Sequence, residues 1–191
     1  MSGFRIGRGR VVGVAVASLV LAISGTMVLA HAETQPGDPA ACLDEREARF
    51  LELINDYRRE NGVPELAVSK ALNQASYLHS KDMADKNYFD HDSQDGRTPD
   101  DRMAEQGYED GTTGENIAAG YPTAEKVFEI WRNSPGHNEN MLDEDFAVIG
   151  IGLAENDSSE YGEYWTTDFG GEVDAAPDCS GDPGASPTRD A

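Results

Sequence analysis

Gly114-Glu115-Asn116-Ile117, followed downstream by Ser134-Pro135-Gly136-His137-Asn138, is the stretch around which the rest of the chain reads. The first segment brings a carboxylate out of a glycine-rich turn. The second brings an imidazole out of a Pro-Gly turn just past a helical pattern. Upstream, Tyr88-Phe89-Asp90-His91 places another imidazole just beyond a helix end. Three groups able to bind a metal or move a proton thus sit at the ends of elements, where rigid scaffolds display functional side chains.

Around them the hydrophobic pattern predicts helices first and strands late. Phe50, Leu51, Ile54 and Tyr57 fall at helical spacing between Asp44 and Asn61, and Gly62 ends the pattern. Ser69 is the expected N-cap of a second helix reaching about Lys86, with Leu72, Ala75, Ser76, His79 and Met83 on one face. Thr98-Pro99 opens a short third helix that stops at Gly107, and Thr123 opens a fourth that Pro135-Gly136 ends. Ile117 to Gly120 reads as at most a short strand, which leaves Glu115 in a loop. Ala147 to Leu153 and Tyr161 to Phe169 are strands, and Gly150 and Gly152 mark a close approach of another element. Strands joined by short loops pair antiparallel, so the class is α+β with helices covering the sheet.

The flanks carry a different kind of information. Arg5, Arg8 and Arg10 precede a charge-free run from Val11 to Ala30, which ends in Ala30-His31-Ala32. A basic start, an apolar run and an A-x-A site describe a secretory signal peptide over residues 1–32. The competing reading is an uncleaved anchor, since the run is long enough to span a bilayer. Residues 33–43 form a linker, 44–179 the folded domain and 180–191 a disordered acidic tail. After signal cleavage no membrane span is expected, and the product is expected to be a secreted monomer. Export makes the two cysteines, Cys42 and Cys179, a disulfide pair joining the ends of the domain. The chain-entropy model assigns so long a loop on the order of 4–5 kcal/mol.

Charge excludes some partners. The 191 residues hold 15 basic and 36 acidic side chains, a formal charge of −21, and the segment 1–32 contributes three of the arginines and none of the acids. Nucleic acid and anionic membrane surfaces are therefore not expected partners. Solubility and salt tolerance are favoured, whether from a high-salt habitat or from an ordinary solvated surface.

Past residue 32 the histidines are His79, His91 and His137. His79, in mid-helix, reads as a packing residue. His91 lies between Asp90 and Asp92, which raise its proton affinity. His137, read at a helix end, is expected to be favoured in its protonated form by the helix dipole. Two imidazoles and a carboxylate make a minimal zinc set with room for water, and they could equally shuttle protons. A Ser134–His137 nucleophile pair has no orienting third residue.

Seven segments carry a resemblance. They are Leu53-Ile54-Asn55-Asp56-Tyr57-Arg58 with Asn61-Gly62; His79-Ser80-Lys81-Asp82-Met83-Ala84; Tyr88-Phe89-Asp90-His91; Gly114-Glu115-Asn116-Ile117-Ala118; Trp131-Arg132-Asn133-Ser134-Pro135-Gly136-His137-Asn138; Ile149-Gly150-Ile151-Gly152; and Tyr164-Trp165-Thr166-Thr167-Asp168-Phe169-Gly170. In this order, from about residue 47 to 171, they resemble a CAP domain. That is the superfamily of cysteine-rich secretory proteins, antigen 5 and plant pathogenesis-related proteins, and the closer likeness is to its bacterial SCP-like secreted branch. The resemblance implies an α-β-α sandwich with a central antiparallel sheet and a large cleft. It implies that His91, Glu115 and His137 face that cleft, where the family can hold zinc or another divalent metal with a second acid. Ser134 stands where that acid would be. Glu129 lies about 140° around the helix from it, so Ser134 or water would have to fill the place. The family has no agreed activity. Three readings follow: a non-enzymatic binding module for a lipid, peptide or cell-envelope component; a metal-assisted or general-base hydrolase using Glu115 and the histidines; and a purely structural polar network.

Overall fold

The order of elements follows the sequence pattern. In the computed structural model, which describes residues 42–109 and 111–177, helices α1 (Glu45–Glu60), α2 (Lys70–Lys86) and α3 (Pro99–Glu105) precede most of the sheet. Strand β1 (Ala67–Val68) lies between α1 and α2. Then come β2 (Thr113–Ala119), α4 (Ala124–Arg132), α5 (Pro135–Leu142), β3 (Val148–Asn156) and β4 (Gly162–Gly170). The N-caps behave as expected. Ser69, Thr98 and Thr123 each accept a backbone N–H from the first turn of their helix. Asp44 and Glu47 close a full capping box on α1.

The sheet runs β1-β3-β4-β2. β4 pairs antiparallel with both β3 and β2, while the two-residue β1 joins β3 in parallel. The sheet is thus mixed at one edge and antiparallel through its centre, and helices cover both faces of an α+β sandwich. On one face, Phe50 and Ile54 of α1, Val127 and Trp131 of α4 and Met141 of α5 pack with Ile149, Ile151, Leu153, Trp165 and Phe169. On the other lies α2, very close. A Cβ on Gly150 would stand 2.1 Å from the Leu72 carbonyl carbon, and one on Gly152 would stand 2.3 Å from that of Ser76. These are the close contacts that the two strand glycines imply.

Buried side chains satisfy the backbone groups at the sheet's edges. Beyond the short β1, the Ile151 N–H donates to Asn73 Oδ1 (3.0 Å) and the Leu153 N–H to Glu47 Oε1 (2.8 Å). At the β2 edge, Asn140 Nδ2 donates to the Glu115 carbonyl (3.2 Å), and the Trp131 indole N–H donates to that of Ile117 (3.2 Å). An edge whose carbonyls are already used is a poor template for a foreign strand. Arg58, fully buried, donates to the carbonyls of Pro64, Met141, Asp143 and Phe146, tying the end of α1 to the turn after it and to the last turn of α5 and the chain beyond.

Two local readings are corrected. β2 begins at Thr113, so Glu115 lies within a seven-residue strand and not in a loop. Two glycine-flanked residues carried too little apolar alternation to show it. Pro135-Gly136 ends no helix; Pro135 is the first residue of α5. Proline's missing N–H and fixed φ suit a helix start as well as they punctuate an end. The expected signal peptide, most of the linker, the tail and Cys179 lie outside the described residues. Among those described there is no free cysteine, and the Cys42–Cys179 bridge stands as a proposal.

Candidate functional site

Strand alternation decides where Glu115 points. It is in register with Asp168 of β4, so its side chain turns to the α2 face, while Gly114, Asn116 and Ala118 turn to the other. There the Glu115 side chain is 3% exposed and holds two partners. Oε1 lies 2.6 Å from His91 Nδ1, and Oε2 accepts a 2.6 Å bond from Arg102 Nη2. Arg102 comes from α3 and is itself only 5% exposed. Its Nη1 donates to the carbonyls of His91 and Arg97 and to Ser93 Oγ, so the guanidinium also organises the loop that delivers His91.

These contacts set the charge states. Burial opposes ionisation of Glu115, but the His91 bond and the Arg102 charge outweigh it and hold the carboxyl below its usual range. The Glu115 bond, against some desolvation, raises the proton affinity of His91; Asp90 contributes less, and Asp92 is not among the causes. Asp168 behaves in the opposite way. It is 1% exposed, and full burial followed by the Glu115 charge drives its carboxyl well above the usual range. Ser76 Oγ donates to Asp168 Oδ2 (2.9 Å), and the Glu115 carboxyl is a hydrogen-bonding neighbour of Asp168. Two carboxylates meeting across a buried strand pair cannot both carry charge cheaply. Here the contacts favour the charge on Glu115 and the proton on Asp168.

His79 is fully buried behind this pair. Its Nε2 lies 3.0 Å from the Asp90 carbonyl, and burial lowers its pKa to about 4. The packing role read from the sequence stands, although the ring also belongs to the polar network around Glu115. His137 reaches the same strand from the opposite face. It is the third residue of α5, its carbonyl accepts from Asn116 Nδ2 (3.1 Å), and its ring lies 6.0 Å from that of Trp131. The expected protonation by a helix C-terminus is reversed. His137 sits at a helix N-terminus, and burial, then the charge of His91, lowers its proton affinity.

The structure therefore brings His91 and Glu115 into contact. It leaves His137 across the β2 edge, near enough to feel the charge of His91 but without a hydrogen bond to either. Glu129 is exposed and paired with Lys126, so it does not supply the fourth group, and Ser134 makes no side-chain cap bond. Among the described residues no three or more His, Cys, Asp or Glu side chains are arranged to hold a metal ion. Each Glu115 oxygen already holds one partner, His91 or Arg102. The three residues as placed do not make up a zinc site. Sequence reading missed Arg102, which looks like an ordinary helix cation in Pro99-Asp100-Asp101-Arg102. It also missed Asp168. A faint signal for that face existed in the polar stripe Asn73, Ser76 and Ser80 along the buried side of α2.

Comparison with known proteins agrees with this architecture. Residues 51–169 match the model of the CAP family, the cysteine-rich secretory protein family. The uncharacterized protein YkwD of Bacillus subtilis (strain 168) is 40% identical over 126 residues, which is 66% of this chain and 47% of YkwD. An extracellular protein containing an SCP domain from Bacillus anthracis str. Ames superposes with a TM-score of 0.60 at 31% identity, over 66% of this chain and 40% of that one. An outer surface protein from Borrelia burgdorferi, at 20% identity, shares the fold with a TM-score of 0.62 over 68% of this chain and 94% of its own. This chain spans less than half of the two Bacillus relatives. With the matched region covering well over half of its length, the chain belongs to the CAP family of cysteine-rich secretory proteins.

Proposed function

We propose that this protein is an exported, non-enzymatic binding module whose ligand, a lipid, peptide or cell-envelope component, enters at the β2 edge between His91 and His137. One observation carries the reading. The candidate carboxylate is occupied: Glu115 is 3% exposed and holds Arg102 and His91 at 2.6 Å each. A carboxylate so engaged and so deeply buried orients its imidazole and is screened from a substrate. His91, with Nδ1 on Glu115, is held to present its other ring nitrogen, and half of its side chain is exposed. Secretion is supported by the B. anthracis relative, described as extracellular. Among the described residues no helix is long and apolar enough to cross a membrane. A divalent ion in the cleft would have to rest on His91 and His137 alone.

The second reading, hydrolysis with His91 as general base, is favoured by the same His91–Glu115 contact, because a buried carboxylate behind an imidazole is how a base is oriented. The two separate cleanly. Purified protein and its Glu115→Gln and His91→Ala variants are assayed on casein and on simple esters. The binding reading expects equal background turnover from all three. Turnover by the wild type that both variants lose would overturn it in favour of hydrolysis.

A further inference from the structure

Among the described residues exposed rings are uncommon, and two of them touch. Phe89 and Tyr161 are 42% and 41% exposed, with ring centroids 6.0 Å apart and planes at 55°. They come from separate loops, each pinned from within. Asn87, in the left-handed conformation (φ 52°), ends α2 and accepts the Glu160 N–H on its Oδ1 (2.6 Å), joining the two loops directly. Tyr88 turns inward to donate to Asp82 (2.6 Å), which turns Phe89 outward. Asn156 holds the second loop by donating to the Ala84 carbonyl (2.9 Å), and Tyr161 rests edge-on against the buried Tyr164 at 6.0 Å. The rings are thus displayed by a rigid base, so little further ordering remains to be spent when something lands on them.

The surroundings of the pair are acidic. Asp90 and Glu160, the chain neighbours of the two rings, are both exposed. Neither forms an ion pair among the described residues, whereas the nearby cations Lys81 and Lys86 are paired with Asp85 and Asp82. The Glu160 charge acts directly on the Tyr161 hydroxyl, which it pushes up in pKa. Aromatic faces beside uncompensated carboxylates attract a delocalised cation on two counts: the ring quadrupole and the net field of an acidic chain. Guanidinium suits such a place better than ammonium, because it stacks on rings and offers planar donors to a carboxylate.

We propose that Phe89 and Tyr161, with Asp90 and Glu160 beside them, form a docking ledge for an arginine-bearing segment of a partner peptide or protein. The ledge stands whether or not the cleft at His91 takes a ligand, since its two rings and two carboxylates are not among the hydrogen-bond partners of the Glu115 side chain. The test must separate recognition from the general attraction of a chain of charge −21 for any polycation. Phe89→Ala/Tyr161→Ala does so, because it leaves the charge untouched. The probe is acetylated tetra-arginine amide, titrated calorimetrically at physiological salt, with the isosteric uncharged tetra-citrulline peptide and a neutral N-acetylglucosamine hexamer as controls.

The wild type is expected to bind tetra-arginine, and the double ring variant to bind it about fivefold or more weakly, from the cation–π contribution usual at exposed sites. Glu160→Gln is expected to weaken binding less and to flatten its salt dependence. It also serves as the second variant should the ring substitutions disturb folding. Unchanged affinity in the ring variant would overturn the ledge and leave only surface charge. Equal or tighter binding of tetra-citrulline or of the hexamer would overturn the cationic partner in favour of a stacking surface for uncharged ligands.

Discussion

The two faces of the sheet are built on different physics. The face under α1 and α4 is a set of interlocked rings: Phe50 lies 5.2 Å from Trp131 and 6.3 Å from Trp165, and Phe146 stacks on Phe169 at 5.4 Å. The face under α2 buries Asn73, Ser76, His79, Ser80, Thr166 and Asp168 against two glycines. Apolar burial on the first face is indifferent to pH and tolerant of detail. The second face depends on satisfied hydrogen bonds and on one protonation pattern, and Glu115 points into it. A site that must hold a buried charge is placed where the core is already polar, since that charge needs partners more than it needs packing.

The largest expected effect breaks the aromatic face. Trp131 is fully buried and bonded to the Ile117 carbonyl. Trp131→Ala is expected to cost about 3–5 kcal/mol in urea titration, the range for deleting a large core ring. A loss under about 1 kcal/mol would show that this face does not carry the fold. Next comes Arg102→Met. It leaves Glu115 buried without its cation, and breaking a buried pair costs about 3–5 kcal/mol at neutral pH. The cost should shrink in acid, as Glu115 takes a proton; a cost independent of pH would show that Glu115 is not the charged partner. Gly150→Ala is expected to cost about 3 kcal/mol, the upper end for overpacking, because its neighbour is the α2 backbone and not a movable side chain.

How much of this was legible depends on which residues carry the pattern. Caps, glycines and apolar stripes act locally, so α1 to α4 and the close approach at Gly150 and Gly152 could be read directly. Trp131 and Trp165, each on an apolar face, are fully buried in the core. The order of motifs then supplied the sandwich. Arg102 and Asp168 could not be read, because their importance lies in partners 13 and 92 residues away. An arginine in a short helix and an aspartate in a strand look like surface residues until the register of β2 with β4 sets Glu115 opposite Asp168. His137 failed for a different reason: Ser-Pro-Gly serves as a stop or a start, and only tertiary context chose the start.

A pH titration of stability sharpens the contrast between the faces. The unfolded chain protonates His79 as pH falls through its ordinary value of 6.5, while the native chain resists until about 4. Stability is therefore lost as pH falls across that window, by about 3 kcal/mol at 1.36 kcal/mol per unit. His137, also lowered, acts in the same direction. His91 is raised, so its contribution is present below its unfolded value and disappears as pH rises through its native one. Being half exposed, it offsets little. Asp168, raised well above its usual range, acts in the opposite direction, so the His79 contribution is read as a difference: between pH 7 and 4 the urea midpoint of the wild type should fall relative to that of His79→Gln. Parallel curves would take His79 out of the account.

Metal ions should have the smallest effect, and they separate the two rims of the β2 edge. Glu115 is 3% exposed and each of its oxygens already holds a partner, Arg102 or His91, so a zinc ion would compete with both for the carboxylate. That leaves His91 from the α2 side and His137 from the α5 side, two imidazoles where zinc takes three or four protein ligands. Zinc titration by calorimetry is expected to show at most weak, reversible binding that falls with pH through the histidine range, since both imidazoles must be neutral. His91→Ala and His137→Ala should each abolish it, and His79→Ala and Glu115→Gln should leave it unchanged. Loss of binding in Glu115→Gln would place the carboxylate on the ion, and Arg102 would then be a partner that the metal displaces.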